Sequence, residues 1–68
     1  MSYSITIVDF NKGDCYLAKV TQNKSTKKLK LFVTDNYDLA KKFETDLGAD
    51  LMMTILENEF NLEVQLNS

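Results

Sequence analysis

The spacing of apolar residues changes at Thr34-Asp35, midway along this chain, and that change limits the fold more than any other feature. Before it, hydrophobic and polar residues alternate with a period of two, as in half-buried strands. After it they recur every three or four residues, as on one face of a helix. Residues 3–10 place Tyr3, Ile5 and Ile7 on one side and Ser4, Thr6, Val8 and Phe10 on the other. Residues 15–22 set Tyr16, Ala18 and Val20 against Cys15, Leu17, Lys19 and Thr21; residues 27–34 set Leu29, Leu31 and Val33 against Lys28, Lys30 and Phe32. The connections, Asn11-Lys12-Gly13-Asp14 and residues 23–26, are rich in residues that accept positive φ or bond back to their own backbone. Three antiparallel strands in a meander are expected.

Past the change, Thr34 or Asp35 can cap a helix, and Asp38 falls in its first turn, where the dipole favours an acid. Leu39, Ala40, Phe43 and Leu47 follow at helical spacing with Lys41, Lys42 and Glu44 opposite, and Asp38 and Lys42 stand at i,i+4. Met52, Ile55, Leu56 and Phe60 continue a stripe beyond Gly48, with Asp50 available as a second cap. An unbroken helix over residues 36–59 would be about 36 Å long against about 27 Å for an eight-residue strand, so a break or kink is expected near Gly48. Asn61 suits a helix stop, and Leu62, Val64 and Leu66 alternate with Glu63 and Gln65 as a closing strand.

The expected fold is therefore α+β. Residues 1–68 form one domain, a small, mostly antiparallel four-stranded sheet with one bent helix or two short helices on one face, in the order β-β-β-α-(α)-β. One bent helix would leave the last strand parallel to the first, on the edge that the meander leaves open; two antiparallel helices would reverse it. A less favoured arrangement makes residues 51–56 and 60–66 a hairpin through Glu57-Asn58-Glu59.

A chain of 68 residues buries only about 60% of the surface its unfolded form exposes, and small domains commonly add a disulfide, a metal or a partner. The single cysteine, Cys15, rules out an internal disulfide, and a single cysteine with no histidine rules out a zinc site of the usual ligands. Asp14 beside Cys15 disfavours a thiolate nucleophile. Asp9, Asn11 and Asp14 around Gly13 have the flavour of a calcium loop, but the glycine falls one place early and Val20 stands where the closing acid belongs. Phosphate loops, serine-nucleophile motifs and dinucleotide fingerprints are absent from the sequence. No enzyme activity, cofactor, metal or small-molecule substrate is expected. The sequence has no apolar run near the ~20 residues that span a bilayer and no signal-peptide series at its start, which with the unpaired cysteine favours a cytoplasmic setting.

Charge is unevenly laid out. Residues 1–34 carry six lysines against Asp9 and Asp14, net +4; residues 35–68 carry eight acids against Lys41 and Lys42, net −6. Association is the function class this leaves open, with a protein partner or a second copy of the chain. The candidate surfaces are an acidic helical face (Asp46, Asp50, Glu57, Glu59) and an open sheet face carrying Leu17 and Phe32 together with Val8 or Phe10. The second choice is a weak, sequence-tolerant nucleic-acid binder using Lys19, Lys24, Lys27, Lys28 and Lys30, with Phe32 for stacking, although the chain has no arginine to read base edges. A plainer reading has these charges keep the protein soluble and its edge strand unpaired.

The order of three strands, helix and strand resembles that of the small antitoxin domains called HicB-like. The likeness is one of element order, and the glycine- and proline-bearing strand motifs of that family do not occur here, so no residue role is carried over. In composition the chain is similar to short, lysine- and asparagine-rich accessory proteins of phages and prophages, which implies a regulatory or interaction role.

Overall fold

The computed structural model describes residues 2–10 and 13–68. The protein is α+β, with an open, antiparallel four-stranded sheet and one α-helix. Strands β1 (Ser4–Phe10), β2 (Gly13–Gln22) and β3 (Leu29–Thr34) form the expected meander. Helix α1 (Asp46–Glu59) and strand β4 (Glu63–Asn67) follow. The sheet order is β3-β2-β1-β4, so β1 is internal and β4 closes the edge that the meander left free. β4 runs antiparallel to β1, pairing Ser4 with Asn67, Ile5 with Leu66 and Ile7 with Val64. Asn11 and Lys12, placed in the first turn from sequence, lie outside the described residues.

Each connection has a local cause. Asn23 opens the β2–β3 turn: its Oδ1 accepts from the amides of Ser25 (2.8 Å) and Thr26 (3.1 Å), the side chain standing in for a backbone turn. The turn closes through Lys27 at φ 64, a left-handed conformation that costs a lysine more than it would a glycine. Asn61, the expected helix stop, is left-handed as well at φ 55, and behind it the amide of Leu62 donates back to the Leu56 carbonyl at 3.3 Å.

The core is built from Ile5, Ile7, Leu17 and Leu56, all fully buried, with Met52, Met53, Phe60 and Val64 among the side chains packed on it. Its composition corrects two strand faces expected from sequence. Strict alternation sends Leu17 and Phe10 to the side opposite the helix, yet both belong with the core. Bulges are the reason. In β2 the register shifts between Leu17, paired with Val33, and Lys19, paired with Phe32. The extra residue reverses the alternation, so that Leu17 and Val20 face the same way. In β1 the shift between Ile7 and Phe10 does the same for Phe10.

The helical expectation for residues 36–47 is also corrected. That stretch holds only a 3₁₀ turn, Tyr37–Leu39, capped by Asn36, whose Oδ1 accepts the Asp38 amide at 3.0 Å. Ala40 is already extended. The Lys41 amide then bonds the Leu17 carbonyl at 2.8 Å, and Phe43 pairs with Tyr3 through two backbone bonds of 2.7 and 2.8 Å. The Tyr37 ring packs edge-on against Tyr16, on the open sheet face, at 5.3 Å, while Phe43 packs on the core. Residues 37–43 thus lead the chain from one side of the sheet to the other. A continuous helix could not have made those strand-like bonds. Lys42 does not pair with Asp38; its Nζ sits 3.6 Å from the centre of the Tyr37 ring and donates to the Tyr37 carbonyl at 2.7 Å.

The break expected at Gly48 is absent. α1 begins at Thr45, whose Oγ1 accepts the Gly48 amide at 3.1 Å, and then runs 14 residues without interruption. Glycine suits this third helical position because a Cβ there would lie 3.2 Å from the capping oxygen. The helix is short enough to match the strands, and the length conflict that called for a kink does not arise.

Candidate interaction surfaces

At 100° per residue, α1 presents two apolar faces. The inner one carries Ala49 and Leu56, both fully buried, with Met52, Met53 and Phe60 against the core. The outer one carries Leu47, Leu51 and Ile55, spaced i, i+4, i+8 and 66%, 62% and 38% exposed. A helix in a two-layer domain needs only the inner stripe to fold. Leu66 of β4, on the helix side of the sheet, is 40% exposed and meets Asp46, Leu47 and Asp50 in a shallow groove that widens the outer stripe toward the sheet edge.

Four acidic residues stand on α1 and no basic one. Helical spacing gathers Asp46, Asp50 and Glu57 into one row between the outer stripe and β4, whereas Glu59 falls on the opposite flank, beside Lys27 and Lys28. All four are exposed, and among the described residues none has an ion-pair partner. The acidic face read from sequence is therefore three residues plus an outlier. Its apolar neighbours were missed because Leu47 and Ile55 were assigned to inward stripes.

The open sheet face is less apolar than expected. Leu17 is absent from it, buried in the core with Ile5, Ile7 and Leu56 instead. Phe32 does lie there, paired across the strands with Lys19 and covered by two ammonium groups, Lys19 Nζ at 4.7 Å and Lys30 Nζ at 5.1 Å from the ring centre. Thr6, Tyr16, Thr34, Gln65 and Asn67 occupy much of the rest, and Asn67 donates to the hydroxyls of Ser4 and Thr6. Lys24 and Lys27 sit in the β2–β3 turn and Lys28 just before β3, so the five candidate lysines all belong to the β2–β3 hairpin, with Glu59 beside Lys27 and Lys28.

Cys15 pairs with Ile7 and faces the core. Burial pushes its thiol up, and Asp14 and Asp35 add to the effect. Among the described residues, no group of three His, Cys, Asp or Glu side chains is placed to hold a metal. No helix there is long and apolar enough to cross a membrane. Comparison of the chain with protein-family models, with curated proteins and with solved structures finds no match.

Proposed function

We propose that this protein is a non-catalytic interaction module that binds a protein partner through the outer face of α1. One observation carries the reading: Leu47, Leu51 and Ile55 form an exposed line on the side of α1 turned away from the core, with Leu66 extending it. Scattered exposed apolar residues are ordinary, but an aligned set bordered by charge is the usual form of a docking surface. The open sheet face, having lost Leu17 and Phe10 to the core, is the weaker surface.

A photo-reactive side chain at position 51, with one at Thr21 on the open sheet face for comparison, tests this in the native host. A discrete adduct heavier than the chain is expected from position 51 and not from 21. No adduct at 51, or the same adducts at both positions, overturns the reading.

The nucleic-acid reading keeps second place on a specific feature, Phe32 between Lys19 and Lys30 with three more lysines at the adjoining turn. A base stacking on Phe32 would first displace an ammonium group from the ring. Fluorescence anisotropy with single-stranded DNA or RNA decides it: this reading requires binding at low salt that weakens steeply as salt rises.

A further inference from the structure

We infer that the occupant of the outer face of α1 is an amphipathic helix of another protein, with its apolar stripe flanked by lysine or arginine. The inference rests on the docking reading above and names the chemistry of the partner. From Leu47 to Ile55 the stripe runs eight residues, about 12 Å along the axis, which is what anchors at i, i+4 and i+7 of one partner helix cover. The groove between α1 and β4 gives one of those anchors a place beside Leu66.

Charge selects among occupants of that shape. The row of Asp46, Asp50 and Glu57 lies along the stripe without a counter-charge among the described residues. A partner bearing lysine or arginine beside its anchors supplies one, and steers its own approach. A second copy of this chain does not. Two α1 helices packed antiparallel about a two-fold axis bring their acidic rows to the same side, facing each other; in the parallel arrangement each row faces the partner's Glu59 flank, where α1 has no base and Lys27 and Lys28 stand only at the Glu59 end, about 14 Å or more along the axis from Asp50 and Asp46. Docking of one chain's lysine-rich turn onto another's α1 fails differently. The exposed large apolar side chains among the described residues are Tyr37, Leu39, Leu47, Leu51, Ile55 and Leu66, so that turn has none to fill the stripe. A nucleic acid is repelled by the row.

The probe is a synthetic amidated peptide of about 18 residues with leucine at i, i+4, i+7 and lysine on both flanks. One control has the same composition scrambled to destroy the stripe; another has glutamate in place of lysine. Titrated into the isotope-labelled protein, the lysine peptide should shift amides of residues 46–58 and 65–67. Its binding should weaken with salt, and about tenfold in Leu51→Gln and in the triple variant Asp46→Asn, Asp50→Asn, Glu57→Gln. Equal binding of either control, shifts centred on the lysine turn or the open sheet face, or the same shifts on merely concentrating the protein would overturn the inference. A photo-adduct at position 51 with the mass of a second copy would overturn it too, and so would an adduct with another protein that an excess of the lysine peptide leaves undiminished; in both cases the docking surface itself stands. Loss of both the adduct and the peptide binding overturns the two together.

Discussion

Single residues decide several features that periodicity leaves open, and Cys15 is the one whose chemistry can be followed directly. Facing the core next to Ile7, its sulfur would lose solvation on ionising, and the carboxylates of Asp14 and Asp35 further oppose a negative charge, so the folded thiol titrates above the ordinary value of about 8.5. The unfolded chain therefore gives up this proton first as pH rises. The stabilisation that the protonated thiol provides is complete below the unfolded pKa and is lost as pH climbs through the folded one. Two measurements follow from the same shift. Alkylation by iodoacetamide should inflect at higher pH in the native protein than in urea, and above pH ~8.5 native stability should fall more steeply for the wild type than for Cys15→Ala. Coincident alkylation profiles would mean that the thiol is solvated as in the open chain.

Strands and helix differ in how much of them can be read without coordinates. Alternation located all four strands, since Ile5, Ile7, Leu31, Val33 and Val64 sit in simple period-two runs. It failed where one residue was inserted. Cys15, Leu17 and Val20 all face the core, a spacing of two and then three, and that departure from parity is the trace the bulge leaves in the sequence. The onset of α1 was misplaced because Leu39, Ala40, Phe43 and Leu47 fit a helical wheel, although tertiary bonds to Tyr3 and Leu17 hold that stretch extended. Thr45, followed by Asp46 and a small residue at 48, was the usable signal. The acids of the proposed docking face were legible and its apolar half was not, since periodicity does not tell which of two stripes on one helix points inward. Two substitutions separate the stripes. Leu56→Ala, at a fully buried site, should lower stability by about 2–5 kcal/mol in urea unfolding. Leu51→Gln, which keeps helix propensity, should stay within about 0.5 kcal/mol of the wild type. A comparable loss in both would place Leu51 in the core and remove the basis of the proposed docking face.

At the scale of the whole molecule the limiting condition is size, because a 68-residue domain has little surplus stability to lose. The last element of the chain completes the layer that the first one begins. β1 lies between β2 and β4, and Ile5 and Ile7, both fully buried, are paired on the β4 side with Leu66 and Val64. Toward the start of β1 the neighbour is β4 on one side and, at Tyr3, the backbone of Phe43 on the other, so this part of the core depends on segments far along the chain. The Asn67 amide also serves the hydroxyls of Ser4, which is fully buried, and of Thr6. Ending the chain at Leu62 would keep every residue of the meander and of α1. It would also bare one edge of β1, remove Val64 from the core and take away the Asn67 amide that serves the Ser4 hydroxyl. The combined loss is of the order of the few kcal/mol that hold so small a domain together. The truncated chain should therefore show no cooperative thermal transition by circular dichroism, with amides of β1 exchanging as fast as those of an unfolded chain. A cooperative transition within about 10 °C of the full chain would mean that meander and helix make a sufficient core alone, with β4 an accessory edge.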